Sequence, residues 1–201
     1  MERLIYLDHA ATSFPKPDCV HDAVREFYSR YGVNPGRTGC DLGITAEKMI
    51  HETRRRLSAF FNPSLVAAGK TKDPNRLVFT MNATMSLNLI INGTVRPGDH
   101  IVTTMVEHNS VIRPVNHKVL EGAEATFVRP DPEGYIDPQD IKKAIRPNTR
   151  LVLVNHASNV TGVVQDLKAI GQRDVGFATD RRRPAHRHDR IPHQLPGIHR
   201  T

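Results

Sequence analysis

The chain has 201 residues, 38% hydrophobic and 24% charged, with no Trp and with 28 Lys+Arg against 21 Asp+Glu, a formal net charge of +7. That length suits one domain or two small ones, and the composition excludes a disordered, collagen-like or coiled-coil chain. No stretch approaches the roughly 18 to 20 consecutive apolar residues of a membrane span, and the opening MERLIYLDHA lacks the basic and apolar runs of a signal peptide, so a cytoplasmic protein is expected.

Pro17 and Asp18 open a helix in which Val20, Val24, Phe27 and Tyr28 recur at helical spacing and Gly32 is the stop. A second helix is expected over about Thr45 to Phe61, its apolar face carrying Ala46, Met49, Ile50, Leu57, Phe60 and Phe61, with Arg54, Arg55 and Arg56 on a solvated face and Asn62-Pro63 ending it. A short strand is expected over Arg76 to Thr80, then a helix from Ala83 through Leu87, Ile90 and Ile91 to Gly93. Pro97-Gly98-Asp99 marks a turn before a strand from His100 to Met105, followed by a helix that ends near Gly122. Ala125 to Val128 reads as a strand, Asp137-Pro138 as an N-cap with proline at the first helical position, Ile141 to Ile145 as helix, and Leu151 to Val154 as a buried strand. Strands alternating with helices imply an α/β fold with a mainly parallel sheet covered on both faces. Ligands of such sheets bind where the strands' carboxyl ends meet the following helices.

Three polar clusters follow expected strands directly: Asn82-Ala83-Thr84, Glu107-His108-Asn109 and His156-Ala157-Ser158-Asn159. In a parallel sheet they converge on one edge. A helix starting at Ala83-Thr84 would offer free N–H groups and a hydroxyl to a phosphate; equally, Asn82 or Thr84 would simply cap that helix. His108 suits stacking on a flat ligand or moving protons, and it also suits a plain structural hydrogen bond. Asn159 suits donation to a ligand oxygen, or a turn. Cys19 and Cys40 are not at metal-pair spacing and read as reduced thiols.

Five segments in order, Tyr6 to Thr12 (YLDHAAT), Asn34-Pro35-Gly36-Arg37, Thr80 to Asn88 (TMNATMSLN), Glu107-His108-Asn109-Ser110 and His156 to Gly162 (HASNVTG), together resemble the N-terminal half of the class V aminotransferases. The similarity lies with their cysteine desulfurase and selenocysteine lyase branch and spans about residues 3 to 172. The resemblance implies the large domain of a fold-type I, pyridoxal 5'-phosphate-dependent enzyme, a homodimer in the family, that converts L-cysteine to L-alanine and leaves sulfur on the protein. Carried over by position, it assigns the cofactor phosphate to Ala83 and Thr84, ring stacking to His108 and a hydrogen bond to the cofactor's phenolic oxygen to Asn159. Tyr6 to Thr12 would approach the substrate.

The family also needs a lysine that holds the cofactor as a Schiff base, following a histidine in a Ser/Gly-rich loop, and no such stretch occurs in these residues, Lys168 being the last lysine. The persulfide-carrying cysteine has no counterpart in Cys19 or Cys40, and Cys40 stands where many relatives carry histidine. Asp180 is the candidate to face the pyridine nitrogen, though Arg181-Arg182-Arg183 replaces the small residues and glutamine expected after it. The domain expectation is therefore a partial class V domain over 1–172 and a basic His/Arg/Pro-rich tail over 173–201, frameshifted or otherwise aberrant, and disordered. That tail holds seven Arg and three Asp, leaving 21 basic against 18 acidic residues, or +3, in the first 172. Without interleaved aromatics after Phe177 it is not read as a specific nucleic-acid binder, nor His186, His188 and His193 as a metal site. The functional expectation is a desulfurase by ancestry without turnover in this chain, or else a noncatalytic binding or dimer partner of a full-length paralogue. Uncovered apolar helix faces, such as that of Ile90 and Ile91, are expected to favour aggregation.

Overall fold

A computed structural model describes residues 5–36, 39–61 and 73–171. The tail from 173, the helix stop at Asn62-Pro63, Arg37 and Asp180 lie outside the described residues. The elements in order are α1 (Asp18–Tyr31), α2 (Asp41–Phe61), a 3₁₀ turn (Pro74–Arg76), α3 (Ala83–Thr94), β1 (His100–Thr104), α4 (Asn109–Leu120), β2 (Glu124–Val128), α5 (Pro138–Ala144), β3 (Thr149–Val152) and α6 (Leu167–Ile170). They divide into two compact units. Of the described residues, the first contains those up to 93 together with 108–114 and 158–162, and the second 94–107, 115–157 and 163–171.

The second unit is built on a three-stranded sheet ordered β2-β1-β3, with both pairings parallel, as the alternation of strands and helices predicts. All five residues of β1 are buried. His100, Val102 and Thr104 alternate with Ile101 and Thr103 on its two faces. Val102 joins Val128, Ile136, Ile141 and Ile170 in a core to which Val106, Ala144, Ile145, Val152 and Val154 add half-buried flanks. Asp137 caps α5 as expected, its carboxylate accepting the Gln139 N–H at 2.8 Å with Pro138 in the first turn. Before β1, Asp99 closes the turn by accepting the Arg96 N–H at 2.9 Å, and Gly98 adopts φ +82°, which a side chain would strain. The strand expected at 151–154 lies two residues earlier, because the ladder starts at Thr149, and it is half-buried.

Within the first unit, α2 begins at Asp41, four residues ahead of the expected start, and buries Gly43 and Ala46. Arg55 and Arg56 both bind Glu52, at 2.6 and 2.7 Å, and Arg55 first, then Arg56, hold that carboxyl down to about 2. Arg54 departs from the solvated face: its guanidinium lies over the Phe79 ring, 5.5 Å from the centroid. The expected strand at 76–80 does not form among the described residues. Asp73 accepts the Asn75 N–H at 2.9 Å and Pro74 starts a 3₁₀ turn, which uses the Arg76 and Leu77 amides locally. α1 spans its expected range but buries none of its residues, leaving Val20, Val24 and Tyr28 exposed. On α3 the expectation of an uncovered Ile90–Ile91 face is half corrected, since Ile91 is fully buried and only Ile90 is exposed.

His100 ties the sheet at the edge opposite the strands' carboxyl ends. Its Nδ1 lies 2.8 Å from the Thr149 hydroxyl on β3 and its Nε2 2.8 Å from the Thr126 hydroxyl on β2. A neutral ring has one donor and one acceptor, and hydroxyls can answer both. Burial, then the nearby Arg146, keeps the ring below the ordinary imidazole range, against an opposing pull from Glu124. Between the unfolded value of about 6.5 and the lower folded one, only the unfolded chain binds this proton, so its contribution to stability is full above that window and lost as pH falls through it. Chemical denaturation at stepped pH should therefore show the parent losing more stability on acidification than His100→Gln; parallel curves would contradict this. Ile141→Ala, which empties a fully buried position, should cost about 2–5 kcal/mol in the same assay.

Candidate functional site

Asn82 precedes α3 and caps it. Its Oδ1 accepts the Met85 N–H at 2.9 Å, and its carbonyl accepts the Ser86 N–H at 3.2 Å and the Thr80 hydroxyl at 3.0 Å. The capping role thus falls to Asn82 and not to Thr84. Among the described residues the N–H groups of Ala83 and Thr84 and the Thr84 hydroxyl donate to no protein acceptor, and both residues are exposed. Two free amides and a hydroxyl at the positive end of a twelve-residue helix suit an oxyanion such as a phosphate.

His108 is the residue before α4, and its carbonyl accepts the Val111 and Ile112 N–H groups at 2.8 and 3.2 Å. Its Nδ1 accepts the Ser110 N–H at 3.1 Å and lies 2.8 Å from the Ser110 hydroxyl. One edge of the ring is thereby fastened to the helix start, which is the structural hydrogen bond anticipated for a strand-end histidine. The residue is nonetheless exposed, so a ring face stays available. An accepting Nδ1 leaves the proton of the neutral ring on Nε2.

Asn159 lies in a turn closed by its neighbour. The Ser158 hydroxyl accepts the Val160 and Thr161 N–H groups at 3.2 and 3.1 Å, and the Ser158 carbonyl accepts the Gly162 N–H at 2.9 Å. The Asn159 side chain is exposed and makes no hydrogen bond within the described residues, so its amide is uncommitted. Ala83, Thr84, His108 and Asn159 all belong to the first compact unit. Only the second and third clusters follow strands of the sheet, since the segment before Asn82 pairs with no strand among the described residues.

Tyr6 to Thr12 forms a self-contained loop. The Tyr6 hydroxyl donates to the carbonyls of Asp8 and Thr12 at 3.0 and 2.9 Å, and its ring meets His9 and Phe14 edge-on. Lys16 Nζ donates to the Thr12 hydroxyl at 3.3 Å and the Ser13 carbonyl at 3.2 Å.

Glu107 belongs to the second polar cluster, yet its residue type alone suggested no separate role. In the structure it is half-buried, and its Oε1 accepts both the Thr104 hydroxyl at 2.8 Å and the Asn155 N–H at 2.7 Å. Burial pushes its carboxyl above the usual range, against the opposing effect of the Asn155 amide and the Thr104 hydroxyl.

Residues 5–181 match the family of class-V aminotransferases. The chain belongs to that family. Among its relatives, a probable cysteine desulfurase of Methanothermobacter thermautotrophicus is 35% identical over 175 residues, covering 86% of this chain and 41% of the relative. Cysteine desulfurase IscS of Photorhabdus laumondii is 35% identical over 190 residues, covering 90% of this chain and 45% of the relative. An apo cysteine desulfurase from Thermococcus onnurineus superposes with a TM-score of 0.71 at 33% identity, over 86% of this chain and 42% of that one. The class-V chain described here spans under half the length of each of these relatives. Its fold is that of the fold-type I pyridoxal phosphate enzymes, in part, and the matched range extends past residue 172 to include Asp180. No helix among the described residues is long and apolar enough to cross a membrane.

Two outcomes check this local geometry. Long-range ¹H–¹⁵N spectra should place the neutral His108 proton on Nε2, and a proton on Nδ1 would contradict the Ser110 bond. Asn82→Ala should lower stability by about 1 kcal/mol through loss of the cap, and an unchanged denaturation midpoint would contradict the capping role.

Proposed function

We propose that this class-V chain forms the pyridoxal phosphate-holding part of a cysteine desulfurase acting on L-cysteine, and that its 201 residues do not turn over by themselves. The observation that carries this is the helix start at Ala83-Thr84, where two amides and a hydroxyl stand uncommitted while Asn82 does the capping. When bound, pyridoxal phosphate supplies an electron sink for bonds broken at an amino acid's α-carbon. Ala83 and Thr84 would hold its phosphate through N–H groups and the Thr84 hydroxyl. His108, fastened at Nδ1, would present a ring face to the pyridine and an Nε2 proton to a ligand. Asn159 would donate its free amide to the cofactor's phenolic oxygen, and the Tyr6–Thr12 loop would approach the substrate. Asp180 remains the candidate for the pyridine nitrogen, supported by its place inside the matched range. The chain is proposed as a cytoplasmic protein, with 1–172 the family domain and 173–201 a basic His/Arg/Pro-rich tail whose start, as far as residue 181, the family match still covers.

Absence of turnover rests on the missing lysine-bearing stretch. A second reading, a noncatalytic partner docking on a full-length homodimeric relative, draws support from the exposed Val20, Val24 and Tyr28 of α1. Co-purification with a full-length relative separates the two.

Equilibrium dialysis should show the chain retaining pyridoxal phosphate at least about tenfold more tightly than pyridoxal, and Thr84→Val should weaken retention by about tenfold, the worth of a hydrogen bond to a charged group. Equal binding of the two ligands would overturn the phosphate assignment. Incubation with L-cysteine should yield no alanine above a protein-free blank, and protein-dependent alanine would overturn the absence of turnover.

A further inference from the structure

We propose that Glu107 is a positioning residue at the carboxyl end of the sheet: its carboxylate sets the spacing between the two points at which the chain leaves β1 and β3, directly ahead in sequence of the His108 and Asn159 segments. This rests on the cofactor-holding reading above for its functional meaning, though its structural content stands apart from it.

The backbone ladder cannot hold those exits by itself. Pairing of β1 with β3 ends at Val102↔Val152, with the last bond running from the Leu153 N–H to the Val102 carbonyl at 2.9 Å. On its other side, β1 stays tied to β2 to the end, where the Met105 N–H donates to the Val128 carbonyl at 2.9 Å. Beyond Leu153 the chain from β3 has diverged from β1, and the next inward amide, Asn155 N–H, is met by the Glu107 side chain at 2.7 Å. The same oxygen takes the Thr104 hydroxyl at 2.8 Å, which locks the carboxylate to the end of its own strand. That hydroxyl in turn accepts the Val106 N–H at 3.3 Å, so the two residues just before Glu107 are folded around it. One oxygen therefore replaces a missing rung between the strands at the point where both chains turn away.

A half-buried acid is a costly way to fill that place unless its reach matters. Both bonds need only an acceptor at the end of a two-methylene side chain. Glutamine keeps that acceptor and reach; aspartate, one methylene shorter, cannot span to Asn155 while holding Thr104; alanine offers neither. A role confined to overall stability would not sort the variants in this way.

The test compares Glu107→Gln, Glu107→Asp and Glu107→Ala in the full 201-residue chain by amide hydrogen exchange, His108 ring shifts and retention of pyridoxal phosphate. Ile141→Val serves as a destabilised reference that leaves Glu107 and both its hydrogen-bond partners unchanged. Alanine and aspartate should speed exchange at Asn155 by about tenfold or more relative to the β1–β2 amides and shift the His108 ring resonances, with glutamine within about threefold of the parent, the range set by losing or keeping the accepted hydrogen bond. If Glu107→Ala does not fold, the aspartate and glutamine variants decide the matter. Equal acceleration across the sheet, as in the Ile141→Val reference, or unchanged Asn155 exchange in the aspartate variant, would overturn the proposal. Failure of the parent chain to retain pyridoxal phosphate would overturn the functional reading instead, and leave the exchange result to decide the role of Glu107.

Discussion

Burial of β1 between two parallel neighbours is the constraint on which the described structure rests. A strand with both edges paired and both faces covered favours short, apolar sequence with its polar groups matched, and β1 departs from this. Of its five buried residues, His100, Thr103 and Thr104 are polar, and the buried Thr103 hydroxyl finds no partner among the described residues. His100 is tolerated because Thr126 and Thr149, one on each neighbouring strand, supply its partners; Thr104 because Glu107 returns to accept its hydroxyl. The polar groups at the two ends of the strand thus hold β2 and β3 where backbone pairing begins and where it has given out. Ile101 and Val102 between them supply the apolar packing that drives the burial.

Ligands of parallel sheets bind beyond the carboxyl ends of the strands, and the two bonds of Glu107 lie at that end of β1. Neither His108 nor Asn159 lies on a strand. Each is held by a neighbour's hydrogen bonds, Ser110 for the first and Ser158 for the second, which leaves ring face and amide uncommitted. The same division of labour recurs at α3, where Asn82 caps and Thr84 stays free. Structural bonds are taken up by the adjacent polar residue in all three clusters, which is how a short polar motif can both fold a loop and offer a donor to a ligand.

That pairing of roles also explains what was legible in the sequence. The alternation of β-branched runs with helical periodicity was enough to place β1, β2, α4 and α5 and to make the sheet parallel, because these elements are decided by local pattern and by burial. Asp137-Pro138 announced its own cap for the same reason. The segment at 76–80 misled because Val78 and Phe79 look strand-like while the Asp73-Pro74 turn and the lack of a partner, both matters of context, govern the backbone there. Glu107 was visible as a residue but not as a bond, since its partner amide at Asn155 lies 48 residues away. Family resemblance joined the three clusters to one phosphorylated ligand, and the class-V match carries the family membership alone, while the roles proposed for Thr84, His108 and Asn159 draw support from their uncommitted groups.

Titration of the ¹⁵N-labelled chain with pyridoxal phosphate, followed by amide and side-chain shifts, tests the central claim most directly. Saturable shifts should concentrate at the amides of Ala83 and Thr84, the His108 ring and the Asn159 side-chain amide, with inorganic phosphate reproducing only the first pair. Shifts confined to exposed lysines and arginines, or none at these four residues, would contradict the claim that this part of the fold holds the cofactor.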